Sequence, residues 1–66
     1  MIEYSNSQVA EAIDEWVHSE RDRAILKRRL IDGLTYDQLA DEFFLSIRQI
    51  KKIVYNESDR LFKYLK

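Results

Sequence analysis

Apolar residues recur along the chain at the spacing of one helix face, in four successive segments. The first segment places apolar residues at positions i, i+4, i+7 and i+8, namely Val9, Ile13, Trp16 and Val17. This stripe predicts a leading helix over about residues 7–17, with Trp16 packed in the core. Its N-cap is Ser5, Asn6 or Ser7, because each carries a side-chain oxygen that can accept a backbone N–H.

The second segment has a helix start signal and a helix stop signal. Ser19 with Asp22 approximates a capping box, and Gly33 suits the left-handed position that ends many helices. We therefore predict a helix over about residues 20–32. Its buried face draws on some combination of Ile25, Leu26, Leu30 and Ile31.

Two further capping boxes divide the rest of the chain. Thr35 with Gln38 opens a short helix over about residues 36–43, and Ser46 with Gln49 opens the next. The last helix has an apolar side and a polar side, the latter formed by Arg48, Gln49, Lys51, Lys52 and Tyr55. We expect it to reach about residue 64, the alternative being a break or kink within 56–59, a run of poor helix formers.

The composition favours an all-α fold. The chain has one Gly, no Pro and no Cys in 66 residues, so it has almost none of the turn residues of β-hairpins and no thiols for a disulfide framework or a thiolate zinc site. We predict a single small domain over residues 1–66, with four to five helices including a helix-turn-helix and a C-terminal helical tail over about 56–65. The apolar residues of this tail are Leu61, Phe62 and Leu65.

Charge and hydropathy exclude several classes of function. A net charge of -1 and a pI of about 5.7 argue against coating nucleic acid by bulk electrostatics. Basic residues are instead local: residues 48–52 carry three and no acid, whereas residues 1–20 carry acids only. No apolar run approaches the ~18 residues that span a bilayer, and Glu3 lies where a secretory signal would be basic, so we expect a cytoplasmic protein without membrane contact.

No pattern in the sequence favours catalysis. There is no nucleophile beside a general base and no Gly-rich phosphate loop, and His18 is the single histidine. We predict that the protein is not an enzyme and has no catalytic site, metal site or cofactor.

Residues 35–55 have the pattern of a helix-turn-helix. Two helices separated by about three residues must cross steeply. Such packing needs apolar residues on the first helix, a small residue at the contact, an apolar plug in the turn and an i, i+3 pair on the second helix. The chain supplies Leu39 and Phe43, Ala40, Leu45, and Ile50 with Ile53.

The stretch RDRAILKRRLIDGLTYDQLADEFFLSIRQIKKIVY resembles region 4 of bacterial sigma-70-type factors and the related LuxR-type regulators. With the leading helix included, the resemblance covers nearly the whole chain, and small phage-encoded sigma-like proteins of Gram-positive bacteria are also similar. It implies a DNA-binding transcription regulator of bacteriophage type. Two residues depart from the family pattern: Phe44 where Gly is usual in the turn, and Arg28 where an apolar residue is common. The promoter-melting region has no counterpart, so we do not expect a complete sigma factor.

We therefore predict sequence-specific binding of double-stranded DNA, with residues 46–55 as the recognition helix in the major groove. Arg48 is expected to contact guanine, Gln49 adenine or a phosphate, and Ile47 a thymine methyl. Phosphate contacts are expected from Ser46, Lys51, Lys52, Arg28 and Arg29.

Two alternatives remain open from the sequence. In the first, the basic residues of the last helix form an ordinary solvated face and contact no DNA. In the second, the domain is a protein-interaction module such as an antirepressor, a polymerase-binding protein or an inhibitor of host defence. If the domain binds DNA, it covers only one half-site, so we expect either a homodimer or a partner such as RNA polymerase. The tail residues Leu61, Phe62 and Leu65 are the predicted dimer seam.

Overall fold

The computed structural model describes residues 4–64, which form four α-helices and no β-strand. The helices are α1 (Asn6–Trp16), α2 (Glu20–Leu30), α3 (Tyr36–Phe43) and α4 (Ile47–Tyr64). The all-α prediction is confirmed, and α2 ends two residues earlier than the pattern indicated. None of the helices in this range is long and apolar enough to cross a membrane. Leu65 lies outside the described residues.

Reciprocal capping boxes begin three of the helices. Of the three candidates for the first cap, Ser5 is the one used: its N–H donates to Gln8 Oε1 at 2.8 Å, and the Gln8 N–H donates to Ser5 Oγ at 3.2 Å. The boxes predicted at Thr35 and Ser46 are both present. At α2, Ser19 Oγ accepts the Asp22 N–H without the reciprocal bond. Local side-chain chemistry thus sets where each helix starts.

The core consists of two apolar clusters. The first, here the terminal cluster, joins α1 and α2 to the end of α4 and contains Val9, Ala12, Ile13, Val17, Leu26 and Leu61. The second, here the turn cluster, joins α2, α3 and the start of α4 and contains Ile25, Leu39, Ile50 and Val54. Because α2 and α4 each contribute to both clusters, these two helices hold the halves of the molecule together.

The last helix is continuous, as the favoured prediction had it. α4 runs without a break through residues 56–59, where the Ser58 hydroxyl donates to the Val54 carbonyl. Leu61, 1% exposed, lies beyond this stretch in the terminal cluster. Burial of this apolar side chain outweighs the weak helix propensity of residues 56–59.

The predicted burial of Trp16 is wrong. Trp16 is 37% exposed, whereas its neighbour Val17 is 2% exposed. Trp16 is the last residue of α1, and an indole is so large that it is seldom covered completely. The apolar stripe of α1 therefore reaches its end with a partly exposed aromatic ring.

Phe44 ends α3 in a conformation that normally requires glycine. Its backbone has φ 57° and ψ 41°, in the left-handed region also used by Gly33, which has φ 77°. The N–H groups of Phe44 and Leu45 both donate to the Ala40 carbonyl, the latter at 3.1 Å. These bonds close a tight helix end, and the Phe44 side chain is 93% exposed.

Replacing Phe44 with glycine is expected to stabilise the fold. The left-handed conformation costs a residue with a Cβ about 1–2 kcal/mol of folding stability, which glycine avoids. The greater freedom of glycine in the unfolded chain lowers stability by about 0.5–1 kcal/mol. The net gain is about 0.5–1 kcal/mol, or a rise of about 2–8 °C in the midpoint of thermal unfolding followed by circular dichroism. The matched control is Lys52→Gly within α4, which is expected to lower stability by about 0.5–1 kcal/mol. A lower melting temperature for Phe44→Gly would contradict the strain argument.

Candidate nucleic-acid interface

The outer side of α4 carries an exposed basic face. Ile50 and Val54 are buried one helical turn apart and fix the orientation of α4 against α2 and α3. The opposite side is exposed and carries three cations near the start of the helix, Arg48, Lys51 and Lys52, here called the basic face. The predicted division of α4 into an inner apolar side and an outer basic side is confirmed.

The basic face lacks compensating acids. The described residues form five ion pairs, and none of these involves a cation of the basic face. No acidic residue occurs between Glu42 and Glu57. The nearest later acids lie on the second half of α4, where Asp59 lies 3.8 Å from Lys63 Nζ. Positive charge is therefore concentrated on the first half of the helix although the whole chain is slightly negative.

A cluster of aromatic rings and cations flanks the basic face where α3 begins. The Arg29 guanidinium carbon lies 4.4 Å from the centroid of the Tyr36 ring, and Lys51 Nζ lies 5.8 Å from it. The Tyr55 ring meets Tyr36 edge-on at 6.1 Å between centroids. A hydrogen bond with Tyr36 raises the pKa of Tyr55 above its usual 10.0. Cation–π contact thus keeps Lys51 and Arg29 close to the start of α3.

Arg28 lies in a network of carboxylates. Its Nε and Nη2 donate to the two Glu42 carboxylate oxygens at 3.0 and 2.8 Å, and its Nη1 donates to Asp32 Oδ2 at 3.1 Å. These hydrogen bonds, with that to Glu42 the largest cause, raise the pKa of Arg28 above its usual value. Arg28 therefore ties α2 to α3 and has its guanidinium occupied, so its predicted phosphate contact competes with two internal partners.

Two other arginines of α2 bind the chain segments that flank this helix. Arg29 Nη1 donates to the Leu34 carbonyl at 2.8 Å, in the segment before α3. Arg23 Nε donates to the Val17 carbonyl at 2.7 Å, and its Nη2 to the His18 carbonyl at 3.0 Å. The sequence predicted DNA contact for Arg29 and no role for Arg23. It did not predict these carbonyl contacts, because donation to a carbonyl five or six residues away has no sequence signature. DNA contact by Arg28 and Arg29 stays a prediction.

Ser46 and Gln49 form the cap of α4. Gln49 Oε1 accepts the Ser46 N–H at 3.0 Å and the Ser46 hydroxyl at 3.2 Å, and the Gln49 N–H donates to Ser46 Oγ at 3.1 Å. Bidentate contact with adenine needs both the oxygen and the nitrogen of the amide. Since the oxygen is already engaged, base reading by Gln49 would require the cap to open. The predicted DNA contacts of these two residues remain untested.

Replacing Ser46 with alanine is expected to destabilise the protein by about 1 kcal/mol, because the first turn of α4 loses its cap. The free energy of unfolding in urea measures this effect. Ser7→Ala is the matched control, since Ser7 is an exposed residue within α1 and its replacement is expected to change stability by less than about 0.5 kcal/mol. Equal stabilities for the two variants would contradict a capping role.

An apolar edge adjoins the basic face. Ile47, the first residue of α4, is 42% exposed, and Phe44 precedes it by three residues in the turn. Among the predicted contact residues, the structure thus exposes Ile47, Arg48, Lys51 and Lys52 together at one end of α4. In residues 4–64, no three His, Cys, Asp or Glu side chains are grouped as metal ligands. A comparison with known proteins found no matching family model, no similar curated protein and no similar solved structure.

Proposed function

We propose that this protein is a sequence-specific DNA-binding transcriptional regulator, in which α3, the turn 44–46 and α4 act as a helix-turn-helix. The observation that carries the proposal is the basic face: Arg48, Lys51 and Lys52 are exposed and without an ion pair among the described residues. A solvated helix face usually alternates the two signs of charge. Here one sign extends over the first half of α4, the part that a recognition helix inserts into the major groove.

Each residue of the basic face has a distinct role in this proposal. Arg48 lies in the first turn of α4 and donates two hydrogen bonds to O6 and N7 of a guanine. Lys51 and Lys52 lie one turn later and contact phosphates on the two sides of the groove. Lys51 lies beside Tyr36 at the start of α3, so α3 and α4 would contact the same strand of the duplex. Gln49 is left out as a base reader because its amide oxygen caps the helix.

The packing on the inner side supports this geometry. α3 has only eight residues and is joined to α4 by the three residues 44–46. Both helices contribute to the turn cluster, in which Leu39 and Ile50 are fully buried. The bidentate ion pair of Arg28 with Glu42 joins α2 to α3 at the surface. α4 is thus packed on its inner side, and its outer side stays exposed to a ligand.

A single domain of this size reads one half-site, so specific binding needs a second copy or a protein such as RNA polymerase. Leu61 is not available for the predicted dimer seam because it is buried in the terminal cluster. Phe62 is 37% exposed and stacks on Tyr4, with 6.2 Å between ring centroids. A dimer interface at this end would therefore depend on Phe62. We propose that either a second copy or another protein binds the second half-site.

Selection from a randomised duplex pool, followed by fluorescence anisotropy at several salt concentrations, tests DNA binding directly. Affinity is expected to fall as salt rises, and Lys51→Ala/Lys52→Ala is expected to reduce the slope of log K against log salt by about 1.8, or about 0.9 for each lost phosphate contact.

The matched control is Arg60→Ala/Lys63→Ala, which removes two cations from the other half of α4 and is expected to leave the slope unchanged. No binding at low salt would overturn the proposal and favour a protein-interaction module. Equal slopes for the two double variants would remove the basic face from the interface.

A further inference from the structure

Phe44 carries a large apolar surface that the fold does not use. Phe44 is 93% exposed and belongs to neither the terminal cluster nor the turn cluster. Its backbone is also held in the left-handed region, where a residue with a Cβ is strained. The phenylalanine therefore weakens the fold without contributing to the core, and strained residues of this kind concentrate at binding sites.

The turn presents the Phe44 ring on a fixed backbone. Two N–H groups, those of Phe44 and Leu45, converge on the Ala40 carbonyl and close the end of α3. Ser46 and Gln49 fix the start of α4 immediately afterwards. Only the two side-chain torsions of the ring remain free, so little conformational entropy is lost when it meets a ligand.

The surroundings of the ring on the α4 side suit a polyanion. The two nearest preceding acids in the sequence are Glu42, whose carboxylate oxygens are both engaged by Arg28, and Asp41, which is exposed. No acid follows until Glu57, and the basic face begins four residues after Phe44. Ile47, 42% exposed, extends the apolar edge toward Arg48. A duplex whose phosphates meet the basic face would therefore bring base edges close to the apolar edge.

We propose that Phe44 is a specificity determinant that packs against the 5-methyl group of a thymine beside the base contacted by Arg48. This inference rests on the proposed DNA-binding function. The thymine methyl is the apolar feature that the major groove presents to a protein, and phenylalanine is one of the side chains that contact it. Phe44 and Ile47 together form an apolar edge next to the basic face, which matches a thymine next to phosphates.

The test uses the duplex that the wild-type protein selects from a randomised pool. Each thymine in turn is replaced by deoxyuridine, which removes only the methyl group and preserves base pairing and phosphate charge. At one thymine the wild-type affinity is expected to fall about fourfold, the effect of losing one buried methyl-sized group. Phe44→Gly is expected to bind both duplexes equally, close to the wild-type affinity for the deoxyuridine duplex, with an unchanged salt slope.

The variants separate this contact from folding and from Ile47. Phe44→Gly is expected to be more stable than wild type, so its weaker binding cannot come from unfolding. Phe44→Leu keeps an apolar side chain and is expected to retain part of the preference for thymine. Ile47→Ala is expected to retain the preference at the Phe44-dependent position.

Four results would overturn the inference. If wild type binds thymine and deoxyuridine duplexes equally at every position, or if Phe44→Gly keeps the preference, Phe44 does not read thymine, although salt-dependent DNA binding still supports the proposed function. If Phe44→Gly has the wild-type affinity for every duplex, the ring meets another macromolecule, and the exposed Asp41 nearby would favour a basic protein surface. If wild type selects no duplex at all, this inference and the proposed function fail together.

Discussion

Arg48→Ala is expected to weaken binding to the selected duplex by about 5- to 150-fold, the range that corresponds to one bidentate contact with guanine. Arg48 is exposed in the first turn of α4 and has no ion-pair partner among the described residues, so its guanidinium is free to make this contact. Binding to a duplex of unrelated sequence is expected to change much less, because that binding depends on phosphates. Fluorescence anisotropy with both duplexes measures the two effects separately.

Arg60→Ala provides the control for charge. Arg60 lies on the same exposed helix, twelve residues and about 18 Å further along its axis. The two variants lose the same charge, so Arg60→Ala is expected to leave the affinity for the selected duplex within about twofold of wild type. Equal losses for the two variants, or an equal loss on both duplexes, would mean that Arg48 contributes only general electrostatics and does not read a base.

Leu61→Ala is expected to have the largest effect on stability. Leu61 is 1% exposed and is the residue through which α4 enters the terminal cluster. Its truncation removes buried methyl groups and leaves a cavity, which lowers the free energy of unfolding by about 2–5 kcal/mol. A domain of this length has only about 3–10 kcal/mol in total. Urea denaturation is expected to show a single transition at a much lower midpoint, since α2 and α4 join both clusters.

Lys63→Ala serves as the matched control two residues further along α4. The Lys63 side chain is 74% exposed and lies 3.8 Å from Asp59, so its removal is expected to change stability by less than about 0.5 kcal/mol. If Leu61→Ala behaves like Lys63→Ala, the second half of α4 does not contribute to the core. If it gives two separate transitions, the two clusters unfold independently.

The features that could be predicted from the sequence are local. The capping boxes at Thr35 and Ser46 and the left-handed Gly33 depend on residues within a few positions of one another, and each was confirmed. The inner and outer sides of α4 were also predictable because helical periodicity alone divides Ile50 from Arg48. These features were sufficient to predict which side of α4 is exposed.

The features that were missed depend on contacts distant in the sequence or on departures from residue preference. The ion pair of Arg28 with Glu42 joins residues fourteen positions apart, so no local pattern could distinguish it from a free cation. Phe44 stands where glycine is usual in the turn, but its residue type disfavours the left-handed conformation that its φ of 57° and the hydrogen bonds to Ala40 reveal. Trp16 continued the apolar periodicity of α1 but lies at its end, where periodicity no longer predicts burial.

Among the described residues, α4 is one continuous helix of eighteen residues that packs in the turn cluster near its start and in the terminal cluster near its end. A continuous helix has no hinge at which one end can rotate independently of the other. A protein bound at Phe62 and a ligand bound at Arg48 would therefore be held about 21 Å apart along the helix axis.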